Sequence, residues 1–172
     1  QRPALRVFLF VERLAGGNCF VRKTPYHPHT LTLRGWVSPI RASVVIKVAI
    51  ERPYSQVYEF LADPMNFAKW AANPESDMVP LDGGEWLVEL PGGQSVIRFA
   101  PRNNFGVLDY EVYPLGEEQG PITPVRLIAN EEGCELVLIW YWRDGVTEER
   151  FLSDAQWVES DLTRLKTLME GG

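Results

Sequence analysis

The chain has 172 residues, of which 45% are hydrophobic and 23% charged, a composition typical of a globular domain large enough to bury a core. Residues 1–43 carry seven Arg and Lys and one Glu, a net +6, whereas residues 44–172 carry ten Arg and Lys and twenty-two Asp and Glu, a net −12. The acidic range would repel a phosphate backbone, which argues against nucleic-acid binding. No apolar run approaches the roughly 18 residues that cross a bilayer, so we expect no stable membrane insertion.

The cysteines and histidines give little sign of metal or disulfide chemistry. Cys19 and Cys134 lack the spacing of metal ligands, and a reducing, cytoplasmic setting is the simplest expectation for them. His27 and His29 have no Cys, Asp or Glu close by in the sequence, so we predict no metal site. The first apolar stretch ends at Glu12, too early for a secretory signal.

Residues 1–43 show no sustained apolar period, and prolines interrupt them repeatedly. Three interpretations compete: an arm lying on the acidic domain, a partner-binding tail, or sequence outside the folding unit. We expect the last, with 1–43 a basic N-terminal extension and 44–172 the folded domain.

The pattern becomes regular at residue 43. SVVIKVAI (43–50) alternates as a strand does, and Pro53 fits the first turn of a helix over 53–63. A second short helix is predicted at 65–70, ahead of Asn73 and Pro74. Six strands then follow, separated by Gly- and Pro-containing turns: 76–81, 85–90, 94–100, 105–113, 125–130 and 134–142.

The longest helical pattern closes the chain over 147–170. Its apolar residues recur at spacings of four and three and so form one stripe: Phe151, Ala155, Val158, Leu162, Leu165 and Met169. A stripe of roughly 35 Å needs an equally long partner surface. Strand, two short helices, six strands and a long helix predict an α+β fold, in which a curved seven-stranded antiparallel sheet wraps around that helix.

These segments resemble the helix-grip (SRPBCC) superfamily, which includes START lipid-transfer domains, Bet v 1-type allergens and polyketide cyclases. IERPYSQVYEFLADPMNFAKW (50–70) looks like the opening strand end and the two gripping helices. FGVLDYEVYP (105–114) and the segment from VRLIAN to the C-terminal KTLME (125–170) resemble a bacterial polyketide-cyclase-like subgroup. The resemblance implies a space between the sheet and the long helix, roofed by the short helices. The superfamily holds carriers, cyclases and co-chaperone domains, so the fold alone does not decide the function.

Alternation along the strands predicts which side chains face that space. Glu135 and Arg143 are expected on the opposite face of the last strand. Tyr110 and Trp140 would supply polar tips in an apolar pocket. Simple core packing is the alternative for every member of the candidate ligand-binding set, which comprises Trp86, Val88, Leu108, Tyr110, Val112, Leu136, Leu138, Trp140, Phe151, Ala155 and Val158.

Arg98 and Arg126 lie in mid-strand between apolar neighbours. Each either pairs on the solvent face with a carboxylate such as Asp109 or Glu111, or points inward towards a ligand acid. We favour the solvent face.

Nothing in the sequence marks a catalytic centre: no nucleophile-elbow, zinc-protease or nucleotide-binding motif occurs, and residues 44–172 contain no histidine. We therefore predict no catalytic residues and no cofactor. The leading interpretation is a carrier or sensor that binds a small hydrophobic or aromatic molecule, such as a lipid. The alternatives are a polyketide cyclase or aromatase, which can act mainly by shaping its substrate, and a co-chaperone-like interaction module. The oligomeric state is not predicted.

Overall fold

A computed structural model describes residues 11–13, 19–21, 40–71, 77–90 and 93–171. The chain forms two compact units, residues 1–40 and 41–172. In the first, β1 (Val11–Arg13) pairs antiparallel with β2 (Cys19–Val21), a pairing that the proline-broken sequence does not predict. That residues 44–172 fold without the preceding segment stays a prediction.

The second unit opens with a strand and two short helices, as predicted. Asp63 starts the 3-10 turn between the helices, because its carboxylate accepts a hydrogen bond from the Met65 amide at 3.0 Å. The first of the two helices buries Val57 and Tyr58. The elements are β3 (Ser43–Ile50), α1 (Tyr54–Leu61), the turn Pro64–Asn66 and α2 (Phe67–Trp70).

Eight described strands of this unit form two antiparallel sheets, of order β3-β10-β9 and β4-β5-β6-β7-β8. The expected antiparallel strands are therefore present, but as sheets of three and five strands rather than as one seven-stranded sheet. The additional strand, β8, lies in what the sequence suggests is a loop. The strands after β3 are β4 (Val79–Pro80), β5 (Glu85–Leu90), β6 (Gly93–Phe99), β7 (Tyr110–Pro114), β8 (Ile122–Thr123), β9 (Val125–Asn130) and β10 (Gly133–Tyr141).

The two sheets meet just before β7. The Leu108 amide donates to the Val125 carbonyl, and the Leu127 amide donates to the Gly106 carbonyl, both at 2.9 Å. Gly106 has φ +68°, and a Cβ there would lie 2.2 Å from the Leu127 carbonyl oxygen. Only glycine permits this close approach, and the hydrogen bonds across it let one sheet continue into the other.

The strand predicted over 105–113 becomes regular only at Tyr110. The Asn103 side chain explains the delay, because its amide group donates to the Val107 carbonyl at 2.9 Å while its oxygen accepts from the Phe105 and Val107 amides. Backbone groups that already bond to a side chain are not available for the regular hydrogen bonds between paired strands.

The long helix is α3 (Glu148–Glu170), with Thr147 as its N-cap. The predicted stripe is confirmed: Leu162 and Leu165 are 1% and 0% exposed, whereas Trp157, off the stripe, is 59% exposed. At the other end, the Glu170 carboxylate accepts hydrogen bonds from the Glu51 amide and the Lys166 ammonium, both at 2.7 Å. The core thus lies between α3 and the sheets. Among the described residues no helix is long and apolar enough to cross a membrane.

Candidate ligand-binding cleft

A cleft of about 750 Å³, partly open to solvent, lies between the end of β10 and residues 150–164 of α3. The sheet and the loop after β10 form one wall, and α3 forms the other. The lining residues are Leu90, Trp140, Tyr141, Arg143, Val146, Arg150, Phe151, Asp154, Trp157, Val158, Ser160, Asp161 and Arg164.

Aromatic rings dominate the apolar part of the lining. Phe151 stacks on Trp142 with ring centroids 5.3 Å apart and planes 11° from parallel. The Trp142 indole is itself fixed, because its N–H donates to the Val146 carbonyl at 2.7 Å. Trp157 stands at the opening, more than half exposed. The rings of Phe151 and Trp142 are held by the protein before any ligand arrives, so ordering these two side chains would cost little on binding.

Some of the sequence-predicted ligand-binding residues line the cleft, and others pack in the core. Trp140, Phe151 and Val158 line the cleft. Ala155 is partly buried on α3. Val88, Leu136 and Leu138 are at most 1% exposed and pack in the core. Partly buried side chains that pack against the same core are Trp86, Leu108, Tyr110 and Val112. Ligand contact by any of these residues stays a prediction.

The polar lining residues were missed by the sequence reasoning, although α3 carries a signal for them. Arg150, Asp154, Trp157, Asp161 and Arg164 recur at spacings of four and three, which puts them on a second stripe beside the apolar one. Such a stripe is most often a solvated helix face. Only the facing wall of Trp140 and Leu90 turns it into the side of a cleft.

Arg143 was expected on the opposite face from Trp140, and this expectation is wrong. Strand β10 ends at Tyr141, so the alternation of faces no longer applies two residues later. The turn brings the Arg143 guanidinium over the Trp140 ring, 5.2 Å from its centroid. A guanidinium over an indole face is an attractive cation–π arrangement.

Tyr110 lies in an aromatic group beneath the cleft. Its ring meets Phe67 edge to face at 5.4 Å, and its hydroxyl is hydrogen-bonded to Thr123, a buried residue of the unpredicted strand β8. Burial raises the pKa of Tyr110 to about 12. The hydroxyl therefore keeps its proton at neutral pH, and Thr123 supplies the hydrogen-bond partner that a buried phenol requires.

Arg98 and Arg126 both form ion pairs along the sheet. Arg98 lies 2.5 Å from Glu85 and 3.4 Å from Glu111, and Arg126 pairs with Asp109. Neither lines the cleft. The solvent-face interpretation of these two residues agrees with the structure.

Two of the three arginines that line the cleft form ion pairs, and the third, Arg143, forms none with any residue that the structure describes. The carboxylate of Asp154 lies 2.8 Å from Arg150, and that of Asp161 lies 3.3 Å from Arg164. Arg143 has no ion-pair partner within 4.0 Å in the described part of the chain. Burial lowers the pKa of Arg143 from its ordinary value, yet a guanidinium stays charged at neutral pH. Three cations and two carboxylates thus make this cleft locally positive in an acidic domain. No metal-binding group of side chains occurs among the described residues.

No protein-family model matches the sequence, and no curated protein matches it. Solved structures do match the fold. The Aha1 dimer structure from Colwellia psychrerythraea aligns with TM-score 0.57 at 16% identity, over 75% of this chain and 96% of that one. CalU16 from Micromonospora echinospora aligns at 0.53 and 18%, over 75% and 74%.

DynU16, a protein in the dynemicin biosynthetic locus, aligns at 0.53 and 22%, over 75% of this chain and 48% of that one. At such identities a likeness establishes the fold. The predicted α+β fold of antiparallel strands and a long C-terminal helix is confirmed.

Proposed function

We propose that this chain is a binding protein, a carrier or sensor, for a small hydrophobic or aromatic molecule held in the cleft between β10 and α3. The main evidence for this proposal is the cleft itself, which has a volume of about 750 Å³ and is lined by Trp140, Phe151 and Trp157 among others. Small-molecule sites are typically roughly 300–1,000 Å³, mostly apolar, with a few convergent polar groups. The volume of this cleft and its mostly apolar lining surface fit this description.

The position of the cleft supports the same proposal. Its walls belong to a rigid frame, because Trp140 sits in the three-stranded sheet and Phe151 is 6% exposed on a capped helix. The rings of Phe151 and Trp142 are already stacked. An apolar ligand would cover Leu90, Val158 and part of Trp157, apolar surface that otherwise faces water.

Binding is tested with N-phenyl-1-naphthylamine (NPN), a neutral aromatic probe whose fluorescence rises in apolar surroundings. We expect saturable binding in the micromolar range, about 8 kcal/mol. Val158→Trp adds volume inside the cleft and should weaken binding at least about tenfold, since an indole would occupy much of the probe's space.

Leu168→Trp is the matched control. It adds the same indole to the same helix at a side chain that is 44% exposed and outside the cleft. We expect it to bind NPN as the wild type does. Equal binding by both variants, or no saturable binding by wild type, would refute the proposed site.

A cyclase or aromatase activity is the second candidate, and the favouring observation is that carboxylates and guanidinium groups line the same wall of the cleft. Asp154 is the best-placed acid–base group, with its carboxylate 2.8 Å from Arg150. Tyr110 would not act as the base, because it lies outside the cleft lining and its pKa is raised to about 12. The test is cyclisation of a poly-β-keto thioester. Turnover is established if wild type catalyses this reaction and Asp154→Asn does not, while Asp154→Asn still binds NPN.

A further inference from the structure

Arg143 lines the cleft beside Trp140. Its side chain is half-buried, and its guanidinium carbon lies over the Trp140 indole, 5.2 Å from the ring centroid. This ring contact does not use the N–H donors of the guanidinium. Those donors therefore remain available to an acceptor inside the cleft.

The surrounding charges do not supply that acceptor. The groups that act electrostatically on Arg143 are Tyr110, Asp154 and Arg41. Asp154 is bound to Arg150 at 2.8 Å, Arg41 lies 2.8 Å from Asp144, and Tyr110 keeps its proton. A partly desolvated cation whose neighbours are already engaged is most stable with an incoming anion.

From this geometry we infer that the ligand is a small organic acid, whose ionised group binds the Arg143 guanidinium while its apolar or aromatic body lies against Trp140, Phe151 and Val158. The inference rests on the proposed function, and it adds the chemical class of the ligand. A guanidinium fork matches a carboxylate in two parallel hydrogen bonds. The six apolar lining side chains beside it suit an apolar or aromatic body.

The test compares two probes with one aromatic body. 1-Anilinonaphthalene-8-sulfonate (ANS) carries the anion, and NPN is the same ring system without it. Arg143→Gln should weaken ANS binding about tenfold, the low end for a charge-assisted hydrogen bond because the cleft is partly open to water. NPN binding should stay within about twofold, since the apolar walls are unchanged.

Arg102→Gln is the control for net charge. It removes the same charge from an exposed residue that pairs with Glu59 and lies outside the cleft. Both probes should bind this variant within about twofold of wild type, because a distant exposed charge is screened. Displacement of NPN by 1-naphthoate should also exceed displacement by 1-naphthamide in wild type, and this preference should vanish in Arg143→Gln.

The outcomes separate the two claims. If ANS and NPN change by the same factor in Arg143→Gln, or if neither changes, the acid-binding inference is overturned, and the proposed binding of apolar molecules is unaffected. If NPN fails to bind wild type, the proposed function fails, and a loss of ANS binding confined to Arg143→Gln would still support an anion site. Should Arg143→Gln not fold, Arg143→Lys keeps the charge without the planar fork, and an unchanged naphthoate preference there would overturn the bidentate contact.

Discussion

Leu162→Ala measures how much of the fold depends on the contact between α3 and the sheets. Leu162 lies near the middle of the buried stripe and is 1% exposed. The substitution removes about three carbon groups, worth about 0.8 kcal/mol each on transfer from water, or about 2.5 kcal/mol. The cavity left behind adds to this, since a long helix pinned at both ends cannot collapse into it. We expect a loss of about 3–4 kcal/mol.

Urea unfolding followed by circular dichroism is the assay. The midpoint should fall while the slope against denaturant stays constant, which indicates lost stability rather than an altered unfolded state. Trp157→Ala is the control: it removes a larger side chain from the same helix, but one that is 59% exposed, so we expect a cost below about 1 kcal/mol. A larger loss from Trp157→Ala than from Leu162→Ala would show that the buried face of α3 is assigned wrongly.

Two further predictions concern the ends of the folded unit. A chain of residues 41–172 should unfold cooperatively, with a free energy of unfolding within about 3 kcal/mol of that of the full chain, because each described strand in that range pairs with another strand of the range. If the same urea titration shows this shorter chain to be unfolded, the first 40 residues are part of the folding unit. Burial raises the pKa of Glu170, but hydrogen bonds from the Glu51 amide and Lys166 outweigh it and leave the pKa below 4.5. This stabilisation is therefore present above pH 4.5 and lost as the pH falls through the lowered pKa. The free energy of unfolding of wild type should exceed that of Glu170→Gln clearly at pH 7, and the difference should shrink towards pH 3. A difference that grows on acidification would contradict the assigned contacts.

The main elements were predictable because their signals are local. The stripe from Phe151 to Met169 and the strand that becomes β5 follow from periodicity within a few residues of chain. Strand β8 was not predictable in this way. It has two residues, and its pairing of Thr123 with Tyr110 depends on a partner strand that no local pattern reveals.

The cleft was predictable only in part, for a related reason. Alternation put Trp140 on the same face of β10 as Leu136, but it could not tell a packed position such as Leu136 from one that lines the cleft, because both are apolar. Arg143 was misplaced since the strand ends just before it. The faces of residues beyond a strand end depend on the turn, and the turn depends on contacts distant in sequence.

The most direct measurement is a map of amide chemical shifts in the ¹⁵N-labelled protein during titration with NPN. If the cleft is the binding site, the largest changes should lie at Trp140, Phe151 and Val158, and they should saturate with the affinity found by fluorescence. Amides at Ile128 and Leu168, both exposed and outside the cleft, should barely move. Saturable changes centred on those two residues, or none at the cleft, would contradict the assignment of this cleft as the ligand-binding site.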